Sequence, residues 1–381
     1  LDVAELARLR LDLANQGVRL GDDLIAEGFA LAFGPDQGSE GLDLLLPGGW
    51  WTNVCIAPDY ARTSPWELVA VDDGLVLRHR ARNDLPVELA DTTRFRRQRT
   101  LSGIPCGDIG AVHGRWLVVA PFAPREGLGL DRPRRFLGVP AQRLLGKGQW
   151  SVDEVVTCCE AAWRHAGIRL VHFEAGHVLR DDGGVEDLSP YIAALRRALP
   201  VLISVNILPP SQPADVLGLY AAGCDAISYH LLAWDEASAA AVAPIRARFV
   251  DHQRILAALD AAARIYPPGA VSTDLLVGLE PLSHVETALE ALIATGVVPN
   301  LAVFRPLPGA EEDAPHGELV PTEPLLALME SRLAQLRATP MWRSRVRGFP
   351  RTLAGFDRYS PSRGDRWYAG LRRRLRVVEV V

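Results

Sequence analysis

Between about Arg115 and Ala338, short apolar runs alternate with longer stretches whose apolar residues recur at helical spacing. The runs RWLVVAP, IRLVHFEAG, VLISVNI, CDAISYHLL, GAVSTDLLVGLE and PNLAVFRPLPG read as strands. Between and after them, SVDEVVTCCEAAWRHAG, GVEDLSPYIAALRRALP, QPADVLGLYAAG, a long segment through RILAALDAAARIY, SHVETALEALIATG and TEPLLALMESRLAQLRA read as helices. The first helix is punctuated by Ser151 as N-cap, Glu154 three residues on and Gly167 at its end. The strands read as too apolar to keep one face in water, which predicts a parallel sheet covered by helices. Right-handed crossovers curl six such βα units into a partial or full (β/α) barrel, an α/β fold. Chemistry then belongs at the carboxyl ends of the strands.

The flanks read differently. Residues 1–112 suggest an irregular module: a helix from Val3 to Ala14, a loop-rich stretch, and a hairpin in WELVAVDDGLVLRHR around Asp-Asp-Gly. Trp50, Trp51 and Trp66 would build its small core. Residues 113–337 hold the barrel, and 338–381 form an extension rich in arginine and aromatic residues.

Composition narrows the function classes. The 381 residues carry a net charge of −5 with 48% hydrophobic content, ordinary for a globular protein. Lys147 is the only lysine, and GKGQW around it lacks the P-loop spacing. The arginine-rich tail belongs to an acidic chain without an RNA-binding signature, so no nucleic-acid partner is expected. No run of 18 apolar residues occurs, and LDVAELARLRLD is amphipathic with acidic residues. A cytoplasmic protein with no membrane partner is expected. Cys55, Cys106, Cys158, Cys159 and Cys224 form no C-x-x-C pair, and they read as small buried hydrophobes.

Polar residues gather at the strand ends: His172, Glu174 and His177 on the second strand, Asn206 on the third, His230 on the fourth, Gly278 and Glu280 after the fifth, Arg305 after the sixth. The segments carrying them are VHFEAGHV, ISVN, ISYHLLAWDE, VSTDLLVGLEP and VFRPLPGAEEDAP. In this order they resemble the radical S-adenosylmethionine (radical SAM) enzymes, in particular the biotin-synthase-like branch. That family has V-x-F-x-G-G-E-P on the second strand, an apolar-Gly-Leu-Glu motif on the fifth and F-R-P-L-P-G-T after the sixth. The resemblance implies a radical-SAM-like barrel and S-adenosylmethionine (SAM) as ligand or co-substrate. Asn206, Gly278, Glu280 and Arg305 are its implied contacts, with His177 where the family's methionine-binding glutamate stands.

The family's C-x3-C-x-aromatic-C loop, whose thiolates hold an iron–sulfur cluster, falls on GLDRPRRFLGVP. Its cysteine positions are Leu130, Arg134 and Leu137, and Phe136 keeps the aromatic place. No iron–sulfur cluster is therefore expected. SAM is already a sulfonium electrophile, so methyl transfer, aminocarboxypropyl transfer or lyase cleavage needs only proximity, a nucleophile and a base. Arg134 would anchor the methionine carboxylate. His230 or Glu174, with His172 beside them, would be the catalytic group acting on a small-molecule substrate. Two other readings stand beside this one. His172, Glu174, His177 and His230 would suit zinc or non-haem iron. Alternatively, the chain is a catalytically inactive relative that binds a ligand or a protein partner.

Overall fold

The computed structural model describes residues 3–26, 41–47, 50–56, 61–90, 92–122, 148–176, 178–304 and 320–343. The chain opens with α1 (Val3–Gln16), β1 (Arg19–Leu20) and α2 (Asp22–Ala26). There follow β2 (Leu42–Leu46), β3 (Trp50–Val54), β4 (Trp66–Val71), β5 (Gly74–His79) and β6 (Arg82–Leu89). The expected hairpin is β4–β5: Val71 faces Gly74 across Asp72-Asp73, and Gly74 has φ +136°. Around it this region is more regular than its sequence suggests. A six-stranded sheet runs in the order β1-β4-β5-β6-β2-β3. Strand β6, RNDLPVEL, buries only Val87, so pairing rather than apolar alternation defines it.

Two short helices, α3 (Thr93–Arg96) and α4 (Cys106–Ile109), lead to β7 (Gly110–His113) and β8 (Trp116–Val119). The repeating units follow: α5 (Val152–Ala166), β9 (Leu170–Glu174), α6 (Val185–Ala198), β10 (Leu202–Asn206), α7 (Pro213–Ala221) and β11 (Ala226–Ser228). After β11 come α8 (Glu236–Val242), α9 (Pro244–Ala247) and α10 (His252–Ile265), then β12 (Val271–Val277), α11 (Leu282–Ala294), β13 (Val298–Val303) and α12 (Thr322–Arg337). The single long helix expected after the fourth strand is therefore three. Proline at 244 cannot extend the preceding helix, and Asp251 caps a new one by accepting from the Arg254 amide at 2.7 Å.

Strands β8 to β13 lie parallel in chain order, with β7 antiparallel on the outer side of β8. The order is linear, so the barrel is partial. The α5 capping box forms as its sequence predicts, with Ser151 and Glu154 bonding each other's backbone amides. Helix α1 joins the two sheets. Leu6, Leu9 and Leu13 enter the core of the first, while Leu11 enters that of the barrel. Asn15 Nδ2 donates to the Val320 carbonyl at 2.7 Å, and Thr322 Oγ1 to Asp12 at 2.6 Å.

The barrel strands are two-faced in chemistry but not in exposure: β9, β10 and β11 are buried on both sides, in keeping with the expectation of strands without a wet face. Val171, Phe173, Ile203, Val205, Leu275 and Leu301 belong to the core shared with the helices. Alternate residues point to the concave side, as a period of two requires, and these are polar. Ser204 lies beside His172 and Asn206 beside Glu174. Ser228 lies beside Asn206 and Ser272, and Asn300 beside Asp274.

Candidate active site

This polar layer forms a connected row at the carboxyl ends of the strands. Glu174 is its centre. The carboxylate Oε1 accepts from Asn206 Nδ2 at 2.6 Å and from the Gly176 amide at 3.1 Å. Its Oε2 lies 3.7 Å from His172 Nε2 and 3.9 Å from His230 Nε2. Burial alone would push the carboxyl up, but the two imidazoles outweigh it and hold Glu174 well below the usual carboxylate range. Glycine at 176 is what admits this arrangement: a Cβ there would come within 2.6 Å of Asn206 Nδ2 and 3.1 Å of Glu174 Oε1.

His172 is fixed from its other side, its Nδ1 lying 2.8 Å from Ser204 Oγ. On the far strand, His230 Nδ1 lies 3.2 Å from Asp274 Oδ2. That approach is off the line a hydrogen bond needs, so it is an ion-pair contact. Asp274 is in turn held by Asn300 Nδ2 at 3.1 Å. Burial pushes the His230 imidazole down, and the carboxylates of Asp274 and Glu174 more than reverse this, raising it above the ordinary imidazole range. With 24% of its side chain exposed, against 6% for His172 and 10% for Glu174, His230 is the most open member of the row.

Arg246 completes the site. Its Nη1 donates to the His230 carbonyl at 2.6 Å. Burial pushes its pKa down to about 10, which leaves it cationic at neutral pH. Among the described residues no carboxylate pairs with this guanidinium, whereas buried Arg196 is paired with Asp225.

His172, Glu174, Asn206 and His230 thus come together as the strand-end pattern predicts. Glu280 is engaged elsewhere: its oxygens accept from the amides of Trp234 at 2.8 Å and Asp235 at 2.9 Å, fixing the turn into α8. Gly278 has φ +107°, a left-handed backbone that favours glycine. Arg134, His177 and Arg305 lie outside the described residues, as does the whole loop aligned with the family's cysteine motif. Among the described residues no three His, Cys, Asp or Glu side chains are arranged to hold a metal ion. Sequence reading missed Ser204, Ser228, Asp274, Asn300 and Arg246. The signal for the first three was present: VHFE, ISVN and ISYH repeat one apolar–polar alternation on successive strands, and VSTD follows it except at Thr273.

No family model matches the chain. Over 110 residues it is 28% identical to the bacteriochlorophyllide c C-7(1)-hydroxylase of Chlorobaculum limnaeum, a span of 29% of this chain and 27% of that protein. The chain therefore matches about a quarter of the length of this curated relative. Among solved structures it is similar to methylornithine synthase, with TM-score 0.40 and 14% identity over 48% of this chain and 54% of that one. It is also similar to a radical SAM methyltransferase from Sphaerobacter thermophilus, with TM-score 0.40 and 12% identity over 71% and 75% of the two chains. A third is coproporphyrinogen III oxidase of Escherichia coli, a radical SAM enzyme, with TM-score 0.33 and 17% identity over 45% and 40%. Superpositions this loose leave the partial-barrel fold resting on the chain's own sheet order.

Proposed function

We propose that this chain is an enzyme of radical-SAM-like fold that binds SAM at the strand ends and reacts it by polar chemistry with a small-molecule substrate, in the cytoplasm and without an iron–sulfur cluster. The observation that carries this reading is the charge pattern of the concave face. Two carboxylates, Glu174 and Asp274, flank a partly open imidazole, and one half-buried guanidinium, without an acidic partner among the described residues, stands beside it. Such a face complements a ligand that carries both cationic centres and a carboxylate, as SAM does.

A cluster held by three thiolates does not fit the cysteines present. Cys106, Cys158, Cys159 and Cys224 are all buried, and burial pushes the Cys224 thiol up to about 12. The segment 123–147 contains no cysteine.

In the proposed reaction the substrate nucleophile forms a bond to a carbon of the sulfonium. That carbon's bond to sulfur breaks with its electron pair left on a departing neutral thioether, and His230 takes the proton of the attacking atom. Asp274, steadied by Asn300, orients the ring, and both neighbouring carboxylates stabilise the imidazolium that forms. Glu174 also supplies a fixed negative charge, with His172 and Asn206 holding it in place. Arg246 anchors the carboxylate of SAM or of the substrate, a role Arg134 would share. Asn206, Gly278, His177 and Arg305 are the further proposed SAM contacts, and Glu280 acts through the turn it holds.

The decisive experiment is calorimetric titration of SAM into the purified chain, with iron assayed on the same sample and products sought by mass spectrometry. Saturable binding without iron, weakened by Arg246→Ala, is expected. Failure to bind SAM overturns the reading.

A further inference from the structure

Leu232, two positions beyond His230, has φ +75° and is the one non-glycine residue with positive φ among the described residues. Side chains of L-residues rarely adopt this backbone. The surrounding ladder explains why it occurs here. Ile227 donates to the Ala270 carbonyl at 2.9 Å and Tyr229 to that of Ser272 at 3.3 Å, in regular parallel steps of two. The next step would be Leu231 to Asp274. Instead Leu232 takes the Asp274 carbonyl at 2.9 Å, and the Leu276 amide returns to the Leu232 carbonyl at 2.7 Å. Three residues on one strand therefore face two on the other. This is a one-residue β-bulge, and His230 lies inside it.

A bulge leaves backbone groups without ladder partners, and buried groups must find others. The Leu231 amide finds Thr273 Oγ1 at 2.8 Å. The His230 carbonyl would be met by residue 209 of the neighbouring strand, continuing the Ile207 to Ser228 bond. Residue 209 is proline and has no N–H, and Arg246 supplies the donor instead. Thr273 itself is fully buried on the helix-facing side of β12, between apolar Val271 and Leu275. Valine would pack there without a polar atom to satisfy. The hydroxyl has a use only because the bulge frees an amide.

We infer that Thr273 is a positioning residue for His230: its hydroxyl holds the bulge that turns the imidazole into the gap between Glu174 and Asp274. The inference rests on His230 being the acid–base group of the site. Its test does not depend on SAM. The full chain, with 15N-labelled histidine, is compared with Thr273→Val and Thr273→Ser by following the His230 ring nitrogens through a pH titration. The charged groups facing that ring are Glu174 from β9, Asp274 from β12 and Arg246 from α9, with His172 behind Glu174. In Thr273→Val the ring should leave Asp274, and its titration should fall by about one pH unit. Thr273→Ser keeps the acceptor and should restore the parent signature. An unchanged His230 titration in folded Thr273→Val overturns the inference. If that variant does not fold, the same substitution is made with Leu232→Gly, which removes the left-handed strain. A parent-like signature in the double variant likewise overturns it. A moved signature in a chain that does not bind SAM leaves the positioning role standing and removes only the proposed reaction.

Discussion

Two histidine–aspartate pairs among the described residues share one separation, although only the first is aligned as a hydrogen bond. His113 Nδ1 lies 3.2 Å from Asp43 Oδ2, and His230 Nδ1 lies 3.2 Å from Asp274 Oδ2. Their surroundings differ in every respect that matters for chemistry. His113 sits between the first sheet and the β7–β8 hairpin, 6% exposed, edge-on to Trp51. Its Nε2 is buried without a partner, and Asp43 also accepts from Asn53. His230 has a second carboxylate on its other nitrogen and an opening toward solvent. A His–Asp pair alone is therefore a packing device. The second carboxylate, the partly exposed ring and the nearby guanidinium make the second pair the candidate site.

The same substitution at both pairs tests this contrast. Asp274→Asn keeps the Asn300 contact but removes the charge that, in the proposed reaction, orients and stabilises the imidazolium. Product formation from SAM should fall by about 10²- to 10⁴-fold, with SAM affinity changed far less. If turnover survives within a few fold, His230 is not the acid–base group.

Gly176→Ala comes next in size. The added methyl meets the Glu174–Asn206 hydrogen bond, and overpacking of this kind costs about 1–3 kcal/mol. A lower urea midpoint at unchanged m-value is expected, together with weakened SAM binding. A variant as stable as its parent would mean that the loop moves aside and that the Glu174–Asn206 contact does not fix the site.

Much of this was readable in advance, and the failures have physical causes. The six βα units were legible because each strand carries a strong apolar face and each helix its own start or stop signal, as at Ser151 and Gly167. Strands β2, β3 and β6 were not: β6 buries a single side chain, while β2 and β3 stand among the glycines and prolines of a stretch that reads as loop. Glu174, His172, Asn206 and His230 could be found from their places at strand ends. Asp274 and Asn300 carry no motif, and only the matched alternation of VSTD with ISYH and ISVN marks the first. Arg246 is one arginine among many, distinguished by being half-buried with no acidic partner among the described residues. The bulge at His230 leaves no trace in the sequence, because an inserted residue is visible only against its partner strand.

A smaller effect should appear in the pH dependence of stability. The His230 imidazole is raised in the fold, so its contribution is complete below the ordinary imidazole pKa and lost as pH rises through the raised value. Glu174 is depressed, so its contribution is complete above the ordinary carboxylate pKa and lost as pH falls toward the lowered value. Together they favour the fold most between about pH 5 and about pH 6.5. His230→Gln should flatten the decline toward pH 9, as measured by urea unfolding at each pH. An unchanged decline in that variant would remove the raised imidazole as its cause.

The smallest effect belongs to Asp43→Asn. The new amide can still accept from Asn53 through its oxygen and can donate to His113 Nδ1 through its nitrogen. No second charge depends on it, since no other carboxylate is paired with this histidine in the described residues. Stability should therefore change by no more than about 1 kcal/mol, and turnover of SAM should not change. The two asparagine variants thus carry the comparison between them: one removes the reaction from a folded protein, and the other leaves both fold and reaction in place. If Asp43→Asn lowers turnover as far as Asp274→Asn does, the two pairs act through a shared structural effect and the site must be sought elsewhere in the barrel.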